Sequence, residues 1–154
     1  MHKGKTLHSA AGGGAVFGKT ADGHWVLGAY DPATSKLDVP EAMSGFGWLV
    51  QNGTAVPAAG GEVAPRTTIG VDADGHLVIM EVDGCEKCNT GDQGQTLLGM
   101  AELLIKHGVV HAINLDGGGS SSVISNGTFI NRPTCVDTWV PICERAVTTV
   151  VCVV

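Results

Sequence analysis

The run Asn114-Leu115-Asp116-Gly117-Gly118-Gly119-Ser120-Ser121-Ser122 is the stretch of this sequence best suited to chemistry. An apolar segment ends in a carboxylate, three glycines follow, and then three hydroxyls. Consecutive glycines let backbone N–H groups converge on an anion without interference from Cβ atoms. Ser120 and Ser121 add hydroxyl donors. Asp116 stands at the edge of such a nest, where a carboxylate can serve as nucleophile or base. Better-known motifs fail at specific positions. A phosphate-binding loop of the Walker type needs a lysine after the glycines, and none follows. A nucleophile elbow around Ser120 needs glycine at 122, where this chain has serine. A dinucleotide-binding fingerprint needs a helix after the glycines, whereas residues from Ser121 onward read as a hairpin.

Those residues need elements to hold them. Val109-Val110-His111-Ala112-Ile113-Asn114-Leu115 reads as an apolar strand leading straight into Asp116. Before it, Leu97, Met100, Ala101, Leu104 and Ile105 recur at helical spacing, with Thr96 as a cap, Lys106 and His107 in the last turn, and Gly108 as a stop. Elsewhere the chain reads as hairpins. Asp22-Gly23 turns one between residues 16 and 30, and Asp74-Gly75 turns one between 67 and 82. Asn52-Gly53 follows a strand from Trp48, and Asn126-Gly127 closes a fourth hairpin. Residues 20–27 and 72–79 look alike, which one shared hairpin solution explains more cheaply than a repeat. Asp72-Ala73-Asp74-Gly75 resembles half a calcium loop but lacks its remaining ligands, so it reads as a turn. Residues 31–45 and 85–95 read as loops, and the β-branched stretch 145–154 as a final buried strand. The expected fold is a mixed α/β (α+β) domain, a hairpin-rich sheet with one main helix, spanning 1–154 as a single unit.

Composition narrows the function. The chain has 154 residues, 44% of them hydrophobic, enough for one core. Its net charge of −6 argues against nucleic acid as a partner, because phosphate contacts need clustered Lys and Arg. No apolar run approaches the roughly 20 residues of a membrane-spanning helix. Neither disorder nor a collagen repeat fits the charge content or the unperiodic glycines. Five cysteines and two glycosylation sequons, at Asn52 and Asn126, favour the secretory lumen or the exterior. The N-terminus shows no signal-peptide pattern. Cys85-Glu86-Lys87-Cys88 suits a local disulfide or free thiols better than zinc, since no second such pair exists. No cofactor or metal is expected.

Several ordered segments resemble the phosphodiester glycosidase family. They are Ala64-Pro65-Arg66-Thr67-Thr68-Ile69-Gly70, Glu81-Val82-Asp83-Gly84, Met100–Leu104, Ala112–Ser121, Asn126-Gly127-Thr128 and the tail Glu144–Val153. The resemblance implies cleavage of a sugar from a phosphodiester, as in removing α-linked N-acetylglucosamine from a capped mannose 6-phosphate. It implies Asp116 as the carboxylate that stabilises or attacks an oxocarbenium-like centre or activates water, with Asp83 as a second carboxylate candidate. Arg66 would clamp the phosphate bidentately, supported by Gly117, Gly118, Gly119, Ser120, Ser121 and Arg145. It also implies a Cys135–Cys143 disulfide. An Asn-Gly-Gly-Phe-Phe-like segment of the family has no counterpart here. The chain therefore corresponds to the C-terminal portion of the family domain, without its N-terminal strands. Gln93 stands where relatives often carry arginine. The rival expectation is a secreted structural or self-assembling subunit, or a glycan-binding module. Its open strand edges would be filled by another copy or by a strand-donating partner.

Overall fold

The computed structural model describes residues 15–31, 34–86, 88, 91–134 and 143–153. Its centre is an antiparallel five-stranded sheet. The strands are β4 (Gly47–Gln51), β5 (Thr54–Ala55), β6 (Arg66–Asp72), β7 (Leu77–Val82) and β8 (Val109–Asn114), in the order β5-β4-β8-β6-β7. The helix α1 (Leu97–Lys106) precedes β8, and its Thr96 hydroxyl accepts from the Gly99 N–H at 3.0 Å. A smaller sheet orders β1 (Val16–Lys19), β2 (Trp25–Gly28) and β3 (Glu41–Ser44) as β2-β1-β3. A short hairpin joins β9 (Ile124–Ser125) and β10 (Thr128–Phe129) across Asn126-Gly127.

The alternation of side chains along β8 divides the core into two layers. Ala112 packs toward α1, with Leu49, Val50, Met100, Ala101, Leu104 and Val109. Ile113 packs the other way, against Ala15, Phe17, Ile69 and Val71 beneath the smaller sheet. A register shift between Trp48 and Val50 lets the adjacent Leu49 and Val50 both face the helix, while Trp48 faces the opposite layer. The two Asp-Gly hairpins also meet. The Trp25 indole N–H donates to the Gly75 carbonyl at 2.7 Å, and Phe17 lies 5.1 Å from the Trp25 ring. Asn52 and Asn126 hold their turns with φ of 49° and 51° and are exposed at the hairpin tips.

The helix, its cap, the strand after it and all four hairpin turns form as the sequence suggests. Two expectations change. Within the expected loop 31–45, Glu41–Ser44 is a strand, paired with β1 along its length and packing Met43 on the core. The β-branched stretch from Arg145 onward is not a buried strand: residues 145–153 are exposed and outside both sheets. β-branched composition alone does not place a segment in a sheet. Cys85 and Cys88 are bonded to each other, Cys143 is disulfide-bonded, and Cys152 is free and exposed. Cys135 lies outside the described residues. Among the described residues, no helix is long and apolar enough to cross a membrane.

Candidate active site

Strand β8 delivers Asp116 to the end of the central sheet. Pairing with β6 continues one step beyond the strand, the Leu115 N–H donating to the Thr67 carbonyl at 2.9 Å. The chain then turns over the start of β6, where the Gly118 N–H donates to the Pro65 carbonyl at 2.9 Å. A Cβ on Gly117 would stand 2.7 Å from that same carbonyl oxygen. Gly118 has φ of 54°, and a Cβ there would meet the Glu86 carboxylate at 2.6 Å. Glycine is required because the backbone itself is one wall of the site.

Gly118–Ser120 forms a single 3-10 turn. That changes the expected anion nest. The amides of Gly118, Ser120 and Ser121 donate to the carbonyls of Pro65, Gly117 and Gly118, and the Gly117 amide donates to Asp116 Oδ1 at 3.1 Å. Most of these N–H groups are therefore engaged within the turn, and the anion-binding capacity rests on side chains. Ser121 is buried, and its hydroxyl accepts from Thr67 Oγ1 at 3.1 Å. Its carbonyl accepts from Asn131 Nδ2 at 3.0 Å. It supports the turn from behind, and Ser120 is half-buried beside it.

A cavity of about 400 Å³ opens over the turn. Asp116, Gly117, Gly118, Gly119, Arg66 and Arg145 line it, joined by Glu86, Asn114, Phe46 and Leu97. Arg66 is aimed by backbone carbonyls: its Nε donates to Gln95 at 3.0 Å and its Nη2 to Glu62 at 2.7 Å. Arg145 lies over Gly119, its Cδ 3.0 Å from where a Cβ would be. Its guanidinium has no hydrogen bond or ion pair to another described residue. Two guanidinium groups beside a carboxylate can hold an anionic ligand and set a negative charge next to it.

Asp83 is not brought to this cavity. Its Oδ1 accepts from Asn131 Nδ2 at 3.2 Å and from the Arg132 N–H at 2.8 Å, anchoring the segment after β10. The cavity's second carboxylate is Glu86, between the bonded cysteines. Sequence reasoning passed over it because the cysteines dominate that segment. It also passed over Phe46, 78% exposed at the cavity rim. An aromatic flanked by two glycines, Gly45 and Gly47, with no periodic pattern around it, was the available signal. Asn114 opens the run singled out in the sequence without a role of its own there, and its Oδ1 is buried and has no partner among the described residues.

Glu81 was likewise unforeseen. It pairs across the sheet with Thr67, behind the turn, and its Oε1 is buried without a partner among the described residues. Burial, aided by the charge of Asp83, pushes its carboxyl up to about 7. The raised value means that folding favours the protonated form. That stabilisation is complete below about pH 4.5, the ordinary value, and is lost as pH rises through about 7. Glu81→Gln is therefore expected to unfold at higher urea than the parent at pH 8, by about 1–2 kcal/mol once solvent screening is allowed for. The advantage should vanish at pH 4, so a series of urea melts between those values checks it.

Comparison with known proteins shows the family. The N-acetylglucosamine-1-phosphodiester alpha-N-acetylglucosaminidase of Bos taurus is 39% identical over 172 residues, covering 94% of this chain and 31% of that protein. The Homo sapiens counterpart is 37% identical, covering 94% of this chain and 32% of its own length. The chain thus spans about a third of the length of the curated relatives it matches. Among solved structures, the zebrafish catalytic domain of the same enzyme, auto-inhibited by its pro-peptide, superposes with a TM-score of 0.74 at 26% identity. That match covers 88% of this chain and 50% of the zebrafish chain. The phosphodiester glycosidase model matches residues 1–154, and with that coverage the chain belongs to the phosphodiester glycosidase family.

Proposed function

We propose that this protein hydrolyses the glycosidic bond of a sugar-1-phosphodiester, releasing a sugar such as N-acetylglucosamine and a phosphomonoester. The observation that carries the reading is the convergence of Arg66, Arg145 and Asp116 on one cavity. Ordinary glycosidases protonate a poor alcohol leaving group and so need a carboxylic acid beside a second carboxylate. A phosphomonoester leaves as a stabilised anion, its second pKa being about 6. Cations that hold the phosphate therefore replace the general acid.

The C1–O bond breaks, the bridging oxygen departs with the phosphate, and the oxygen of water bonds to C1. One water proton stays on the new sugar hydroxyl, and the other passes to the phosphate or solvent. Asp116 stabilises the positive charge developing at C1. Arg66, fixed by two carbonyls, and Arg145, unpaired among the described residues, receive the phosphate. The Gly117–Gly119 turn lets it approach the backbone, and Phe46 offers a flat apolar face to the sugar ring. The Cys85–Cys88 disulfide and the exposed sequons at Asn52 and Asn126 support work in the secretory lumen or outside the cell. β5 and β7 are the edges of the five-stranded sheet among the described residues, where a second copy or a strand-donating partner would add.

The test is release of sugar and phosphomonoester from the methyl diester of α-N-acetylglucosamine 1-phosphate. Arg145→Ala is expected to lower kcat/KM by about 10- to 100-fold, the effect of losing one charge-assisted contact. Arg145→Lys should recover part of it. Equal rates for parent and Arg145→Ala would remove Arg145 from the site, and no release by the parent protein would overturn the function.

A further inference from the structure

A second cavity, of about 500 Å³, lies beside the first. The loop 57–62 forms it together with Arg66 and Leu97. Those last two residues also line the cavity that holds Asp116, so they form the ridge between the two spaces. We infer that this second cavity is the leaving-group subsite: it receives the alcohol arm of the phosphodiester and selects alcohols with a bulky apolar face. The inference rests on the hydrolysis proposed above and adds where the other half of the substrate lies.

The geometry follows from the ligand's own shape. A phosphodiester is one anion with two ester arms that diverge from it. An arginine on a ridge between two cavities can hold the anion while each arm enters a different space. The arm whose bond breaks must reach Asp116, which lines the first cavity alone. The second cavity is therefore left for the alcohol. Its loop is also tied to the anion site, because the Glu62 carbonyl accepts from Arg66 Nη2 at 2.7 Å. Pro57, Ala58, Ala59 and Leu97 make most of its side-chain surface apolar, and apart from Arg66 the single lining side chain that can hydrogen-bond is Glu62. The alcohol is accordingly read chiefly by size and apolar contact, with Glu62 as the one acceptor for a hydroxyl.

Binding of phosphomonoesters, the reaction's second product, tests this without requiring turnover. Titration calorimetry of the parent protein should show benzyl phosphate binding about tenfold more tightly than methyl phosphate, the difference a partly buried ring supplies. Ala58→Trp, which fills the subsite, should bring that ratio to about one, while Ala58→Ser should keep it. A ratio near one in the parent, or a ratio unchanged by Ala58→Trp, overturns the assignment. If the ratio behaves as expected but no diester is hydrolysed, the subsite stands and the hydrolytic reading fails.

Discussion

Asp116→Asn should leave the protein folded and lower sugar release by about 1,000-fold, within the range that a positioned acid or base contributes. The two side chains have the same shape. The amide oxygen can still accept from the Gly117 N–H, the bond that the carboxylate makes at 3.1 Å. Asp116 is exposed, so exchanging it disturbs no core packing. Unfolding free energy should therefore stay within about 0.5 kcal/mol, as for other surface exchanges. In the proposed hydrolysis, what disappears is the negative charge beside C1, where the transition state is positive. Steady-state kinetics with thermal melts on the same preparation check both halves. Asp83→Asn is the informative contrast. Asp83 ties Asn131 and Arg132 to the end of β7 and lies away from the cavity. Its loss should cost about 1 kcal/mol of stability and little turnover. If the two variants lose activity alike, Asp116 has no special place in the chemistry.

The second large effect is on stability and comes from Gly94→Ala. Gly94 has φ of 128°, and a Cβ there would stand 2.1 Å from the Ala64 carbonyl oxygen. The neighbour that would have to move is backbone, and it is engaged. Ala64 and Gln95 exchange hydrogen bonds of 3.2 and 2.9 Å across this crossing. Gly84 packs closely on the crossing as well, since a Cβ built on it would lie 2.8 Å from Gly94 Cα. The substitution combines an unfavourable backbone conformation with a broken bridge, so about 3 kcal/mol or more should be lost. For a domain of this size, melting should fall by roughly 6–12 °C. Activity should fall further than stability explains, because the Gln95 carbonyl aims Arg66 at 3.0 Å. Gly60→Ala separates the two causes. Gly60 also has a positive φ, 90°, but nothing lies within 4 Å of its Cβ position. Only the conformational penalty of about 1–2 kcal/mol should appear there. Similar melts for both variants would show that the crossing at Gly94 is not tight.

These contrasts also mark what the sequence makes legible. Thr96, the helical spacing of Leu97 to Ile105 and Gly108 define α1, because local propensity, cap and burial agree. Asp116 at the end of an apolar strand is visible for the same reason. The uses of the glycine amides are not visible. Whether a Gly-Gly-Gly turn points its N–H groups outward depends on which carbonyls lie beneath it, and Pro65 is some fifty residues away. Strand β3 is hidden because Glu41–Ser44 is defined by its partner β1. The exposed run 145–153 shows the converse, strand-forming residues that lie outside every sheet. Glu86, Phe46 and the raised carboxyl of Glu81 are products of the tertiary arrangement, which brings distant segments to one end of β8.

The position of β8 has a consequence for time rather than space. It is hydrogen-bonded on both flanks, to β4 and β6, and sandwiched between the two core layers. Amide protons there should exchange with deuterium only through global opening. The loops 57–62 and 143–147, which carry the cavity walls, lie outside both sheets and should exchange orders of magnitude sooner. Asp116 thus follows directly on the slowest part of the molecule, while Arg145 and the loop 57–62 belong to the fastest. On the proposed reading, substrate preference can drift by changes in those loops without disturbing the strand that carries Asp116.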